Sequence, residues 1–162
     1  MRAIGKETPH KFLLRVIFHT GTLDAVMRHA SSDFEHEVGG VLLGRVEPAC
    51  DSLSVEVTDI IQACHTRATR TSITFTPETW IDITCKRKAI FPGKKIVGWY
   101  HSHLGLSTFL SNLDWNFHWC LFQGKPWYVA MVVDPVCRKW ELFAWHDEKE
   151  RKEIVRLDFT VI

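Results

Sequence analysis

The chain has 162 residues, of which 46% are hydrophobic, 24% charged and 12% aromatic, the make-up and size of one globular domain. Twenty Lys and Arg against 19 Asp and Glu leave a formal charge of +1, so the balance proposes neither nucleic acid nor an anionic membrane as the main partner. The apolar stretches Val38–Gly44 and Trp127–Val133 fall far short of the roughly 20 residues of a membrane span. Arg15 interrupts the run Phe12–Phe18, a poor core for a leader. The expectation is a cytoplasmic single domain over residues 1–162, with its core at about 12–146 and a charged tail at 147–162. Five cysteines occur singly and without C-x-x-C, so neither a disulfide framework nor a thiolate zinc site is indicated, and reduced, mostly buried thiols are expected. Nine histidines are plentiful for this length.

In chain order, Phe12–Phe18 reads as a strand and Gly21–Ala30 as a short helix ending near Ser31 and Ser32. Glu37–Val46 reads as a second strand, and its Gly39, Gly40 and Gly44 imply a bend or close approach of backbone. Leu53–Ile61 alternates, with Leu53, Val55, Val57 and Asp59 on one face and Ser54, Glu56, Thr58 and Ile60 on the other. A hairpin turning near Glu47–Asp51 would join these two strands. Cys64–Thr71 reads as a loop and Ser72–Thr76 as extended. Pro77 and Glu78 open a helix that runs to about Phe91 and stops at Pro92 and Gly93. Lys95–His101 is a strand, Ser111–Phe122 a helix closed by Gly124, and Trp127–Asp134 and Lys139–His146 are strands. From Glu148 the tail reads as either a short helix or a final strand. This mixture predicts an α/β (α+β) domain, a single mixed β-sheet flanked by helices.

At the end of the Lys95 strand stands Trp99-Tyr100-His101-Ser102-His103. Alternate residues of a strand share a face, so His101 and His103 present two imidazoles side by side, a chelating arrangement. Ser111 opens the next helix and Asp114 follows one turn later, giving H-x-H-x7-S-x-x-D. Two His and one carboxylate are the three protein ligands of a tetrahedral zinc site that keeps its fourth position open, and an open position implies catalysis. Ser-x-x-Asp is by itself more commonly a helix N-cap, and capping and coordination are compatible here. Hydrolysis at such a metal also needs a carboxylate that is not a ligand to move the proton. Glu37, heading the Gly-rich strand, is the best candidate, and Glu35 is its rival.

With these residues the chain resembles the JAB/MPN/Mov34 (JAMM) zinc metalloproteases, whose signature is an early-strand Glu followed by H-x-H-x7-S-x-x-D. Glu37, His101, His103, Ser111 and Asp114 match it, and Trp99–His103, Gly105, Leu110-Ser111 and Val132-Val133-Asp134-Pro135 look like the proteasome-lid branch. The resemblance covers about Phe12–Trp145 and implies an MPN/JAB-type, cytidine deaminase-like fold. It implies one Zn2+ per chain on His101, His103 and Asp114, with Glu37 as general base and then acid, and Ser111 donating a hydrogen bond to the oxyanion. The implied reaction is hydrolysis, by a zinc-activated water, of the bond after the C-terminal tail of a ubiquitin-like protein, a tail ending in Gly-Gly. Such an isopeptidase deconjugates or matures its substrate and would keep company with conjugation machinery. The length resembles that of small stand-alone prokaryotic members, some of which belong to antiviral defence. One departure is Leu104, where the family usually has Pro, which leaves open the shape of the Leu104–Leu110 loop.

Other readings stand beside this one. Processing of a sulfur-carrier protein needs the same chemistry. A non-catalytic MPN scaffold would lack the metal set, which here is complete. His118, one turn beyond Asp114, reads as a residue supporting a ligand or as a partly exposed helix histidine. Trp115 and Trp119 read as packing against the sheet, and Arg67 and Arg70 as a solvated loop.

Overall fold

The computed structural model describes residues 13–49, 52–145 and 154–162. Its main sheet has eight strands in the order β10-β1-β3-β2-β6-β7-β8-β9. These are β1 Leu13–Phe18, β2 Gly39–Ala49, β3 Ser52–Gln62, β6 Lys95–Ser102, β7 Val129–Asp134, β8 Lys139–Trp145, β9 Ile154–Leu157 and β10 Phe159–Val161. A two-stranded ribbon, β4 Arg67–Thr69 and β5 Ser72–Thr74, occupies the segment read as a loop. The helices are α1 Thr20–Ala30, α2 Pro77–Ile90 and α3 Asn112–Phe122. The mixed sheet with flanking helices is the predicted α+β architecture.

The helices start where the chain supplies caps. Thr76 and Thr79 exchange side-chain and backbone hydrogen bonds at the start of α2, with Pro77 in its first turn. In α1 the buried positions Leu23, Val26 and Ala30 repeat at helical spacing and pack on one face of the sheet with Val16, Val55, Leu42, Tyr100, Met131 and Leu142. On the other face Trp80 of α2 and Phe117 and Phe122 of α3 meet Val41, Leu43, Trp99, Ala130 and Val132. All residues of β7 are buried, as expected of a strand covered on both faces.

Strict alternation fails at two bulges. Leu43 pairs with Asp59 and Gly44 with Val57, so Thr58 is unmatched. The extra residue flips the pleat. Ile60, not Asp59, therefore rejoins Val57 in the α1 cluster, while Ile61 packs on the opposite side. The second bulge leaves Val97 unmatched between Gly98 and Ile96. Val97 and Tyr100 then face α1, whereas Ile96 and Trp99 face α2 and α3.

The tail is strand, in two pieces. Only Asp158 separates β9 from β10, yet β9 lies on β8 and β10 on β1, the two ends of the remaining strand order. A single residue cannot span an open eight-stranded sheet, so the sheet curls until its edges meet through this bent segment. The charged run Asp147–Glu153 and the turn at Cys50 and Asp51 lie outside the described residues. The expectation of buried thiols fails: Cys64, Cys85, Cys120 and Cys137 are all exposed. No helix among the described residues is long and apolar enough to cross a membrane.

Gly98 lets β6 and β7 approach, because a Cβ there would stand 2.2 Å from the Val129 carbonyl oxygen, a backbone atom that cannot swing away. Gly98→Ala is expected to cost about 1–3 kcal/mol and lower Tm by several degrees in thermal unfolding. An unchanged Tm would show that the β6–β7 contact is not tight.

Candidate metal centre

β6 and β7 are parallel neighbours, and a parallel pair needs a crossover, supplied here by α3. The crossover starts α3 beyond the C-terminal end of β6, the place where open α/β sheets present functional groups. His101 and His103 stand at that strand end and Asp114 in the first turn of the helix, and the three are buried together. Their Nε2 atoms are 3.2 Å apart, with Asp114 Oδ1 3.3 Å from His101 Nε2 and Oδ2 3.8 Å from His103 Nε2.

Protonation follows from the partners. His103 Nδ1 lies 2.8 Å from the Ser107 carbonyl oxygen, which can only accept. Nδ1 therefore carries a proton, and in the neutral ring the lone pair of Nε2 faces His101. Burial alone would lower His103's pKa, but Asp114, the Ser107 carbonyl and the charge of Glu37 outweigh it and hold it above the usual value. His101, sealed against Trp99, is pushed down chiefly by burial despite Asp114. Burial opposes the Asp114 carboxylate, yet the two adjacent imidazoles and the Ser111 N–H keep it well below the ordinary carboxylate range.

Asp114 also belongs to a capping box: Ser111 N–H donates to Oδ2 at 2.8 Å, and Ser111 Oγ accepts from Asp114 N–H at 3.2 Å. The cap fixes the carboxylate and leaves the Ser111 O–H free to donate elsewhere. Capping and convergence on the histidines coexist on the same two residues.

Glu37 is placed by strand pairing. Gly39 pairs with His101, Val38 exchanges bonds with Ser102, and the antiparallel register carries Glu37 opposite His103. Its side chain is 2% exposed and its carboxyl is pushed up to about 7, mainly by burial, with Asp114 adding and His103 opposing. The Glu37 N–H is held by the Thr69 carbonyl of β4 at 2.8 Å. Glu35 is exposed on the preceding loop, its N–H on Asp33 Oδ1.

The donor set fits zinc. A tetrahedral ion with bonds of about 2.0–2.1 Å has ligand atoms about 3.3–3.4 Å apart, close to the separations among the two Nε2 atoms and the Asp114 carboxylate. Two nitrogens, one carboxylate and no thiolate are a familiar hydrolytic set.

Around it, the structure corrects one reading and adds two. His118 is neither a partly exposed helix histidine nor in contact with a ligand side chain through a hydrogen bond. It is fully buried, and its Nδ1 accepts from Trp99 Nε1–H at 3.0 Å. Burial lowers its pKa to about 3, so it stays neutral. Trp99 in turn stacks on His101 at 4.7 Å. The i, i+2 spacing of Trp99 and His101 on one strand could have signalled this. Asp134, buried at the end of β7, binds the loop after His103, which no local spacing announced. Trp115 and Trp119 stack on each other at 5.3 Å, and Trp119 meets Trp145 of β8 edge-on. Arg67 is exposed on β4, and Arg70 donates to the Phe34 carbonyl.

The profile of the JAB1/Mov34/MPN/PAD-1 ubiquitin protease family matches residues 11–124, which include every residue of this centre. The chain belongs to that family. It is 32% identical over 112 residues to the 26S proteasome regulatory subunit rpn11 of Schizosaccharomyces pombe, covering 68% of this chain and 35% of that protein. To COP9 signalosome complex subunit 5 of Candida glabrata it is 30% identical over 130 residues, covering 76% of this chain and 27% of that protein. The chain thus spans about a third of the length of these curated relatives. In fold it is similar to the solution structure of protein DSY2949 from Desulfitobacterium hafniense, with a TM-score of 0.66 at 16% identity over 91% of this chain and 92% of that one.

The elevated Glu37 pKa has a consequence for stability. Between the ordinary 4.5 and the folded value of about 7, the folded chain binds a proton that the unfolded chain releases, so stability falls as pH rises through that window. Glu37→Gln removes the ionisable group. In the presence of a chelator the variant is expected to melt with the wild type near pH 4 and above it at pH 8. Coincident melting at both values would contradict the placement of the carboxyl.

Proposed function

We propose that this protein is a zinc-dependent isopeptidase that hydrolyses the bond after the C-terminal tail of a ubiquitin-like protein. The observation that carries this reading is the convergence of His101, His103 and Asp114 at tetrahedral spacing, with a buried Glu37 opposite His103, in a chain of the ubiquitin protease family.

His101, His103 and Asp114 would hold the ion. Zinc bound there supplies Lewis acidity and lowers the pKa of water towards neutrality. Glu37, with a pKa near that of the medium, accepts the proton of the attacking water and delivers it to the leaving amine. Its backbone bond to Thr69 and its register with His103 fix the main chain from which the carboxyl reaches the site. The Ser111 O–H, left free by the capping bonds, donates to the oxyanion that develops on the scissile carbonyl. No covalent enzyme intermediate is needed, since water is the nucleophile. An extended tail binds well by strand addition, and the short β4–β5 ribbon beside Glu37 offers backbone for it.

Purified protein is expected to hold one zinc per chain after metal supplementation. A folded protein that binds none would overturn the reading. Glu37→Gln is expected to keep the metal but lose about 100-fold or more in turnover of a ubiquitin-like fusion. Undiminished turnover would move the base away from Glu37.

A further inference from the structure

Asp134 turns its carboxylate chiefly to backbone. Oδ1 accepts from the N–H groups of Gly105 at 3.1 Å, Val136 at 3.0 Å and Cys137 at 3.0 Å, and Oδ2 accepts from Ser107 N–H at 2.7 Å. The side chain is fully buried. Two of the four donors belong to the loop that follows His103, and this loop has an awkward path. Gly105 has φ +83 and Ser107 φ +70, the latter a left-handed conformation that a residue with a Cβ seldom adopts. Locally only the His103–Ser107 bond closes the loop among the described contacts, and position 104 is Leu, whose φ no ring fixes, so the Asp134 carboxylate adds a brace from outside the loop.

The held peptide matters because of what its other end does. The residue whose N–H is fixed by Asp134 Oδ2 is the one whose carbonyl takes the Nδ1 proton of His103 at 2.8 Å. A continuous path of strong contacts thus runs from a carboxylate, through one residue's N–H and C=O, to an imidazole. Strand pairing brings the two ends together: Ser102 pairs with Val133, and His103 N–H donates to the Val133 carbonyl at 2.8 Å, which sets Asp134 beside the loop.

We propose that Asp134 is a positioning residue for the metal centre, setting the tautomer and ring orientation of His103 through the Gly105–Ser107 backbone. The inference rests on the zinc reading for its functional meaning. It does not rest on it for the clamp itself. Partners of ligating histidines generally act directly on the ring, whereas here the carboxylate works one peptide away, so that the loop and the ligand are fixed by the same group.

The test uses the full chain. Zinc affinity measured by competition with a chromophoric chelator is expected to fall about 10- to 100-fold in Asp134→Asn, whose amide cannot accept at both oxygen positions. Val16→Ala, destabilised in the core three strands from β6, should stay within about threefold of wild type. Two measurements on the wild type need no variant and no metal. Hydrogen exchange should be about 100-fold slower at the Gly105 and Ser107 amides than at Leu106 between them, although all three residues are exposed. Imidazole 15N shifts of the chelated protein should show His103 protonated at Nδ1. Zinc affinity unchanged in Asp134→Asn, or Gly105 and Ser107 amides exchanging as fast as Leu106, would overturn the proposal. A wild type that binds no zinc yet shows both protected amides and an Nδ1 proton would sink the zinc reading while leaving the clamp in place.

Discussion

Two imidazole nitrogens 3.2 Å apart inside a protein have few stable arrangements. One can donate to the other, or a cation can sit between their lone pairs. His103 Nδ1 holds its proton on the Ser107 carbonyl on the far side of the ring, so in the neutral ring Nε2 offers a lone pair, to a proton on His101 Nε2 or to a cation. The Asp114 carboxylate beside both rings favours positive charge at the same point. Removing these groups from water is costly unless they are compensated, and a divalent ion compensates all three at once.

The fold serves this convergence in separate ways. The parallel β6–β7 pair forces the crossover that begins α3 over the end of β6, so the strand's histidines and the helix's first-turn carboxylate meet. The bulge at Val97 sets which residues of β6 face α3, and Trp99 on that face stacks on His101 while His118 holds its indole N–H. On the other flank β2 delivers Glu37 by register, and the tail closes the curled sheet through its two edges. The two histidines thus come from the end of one strand and the carboxylate from the start of a helix. Rigid elements carry His101 and Asp114, and the clamped loop after β6 completes the hold on His103.

Much of the centre was legible in the sequence because its geometry is local. His-x-His on a strand and Ser-x-x-Asp at a helix start are fixed by the periods of the two elements, whatever surrounds them. The long elements were legible for the same reason. What escaped depends on contacts distant in the chain or on breaks in period. Asp134 reaches back 27 residues to Ser107, and His118 reaches 19 to Trp99. The bulges at Thr58 and Val97 shift faces that alternation assigns rigidly, which misplaced Asp59. The β4–β5 ribbon is too short and polar to announce itself, and a tail of two short strands on opposite sheet edges has no local signature at all. Cysteine's usual burial misled because these thiols sit on helix faces and turns.

X-ray absorption at the zinc edge of the metal-loaded protein tests the central claim most directly. The expected spectrum shows two imidazole nitrogens and oxygen ligands at about 2.0–2.2 Å, with no sulfur. A sulfur shell at about 2.3 Å would place the ion on the exposed cysteines and contradict the His101, His103 and Asp114 site.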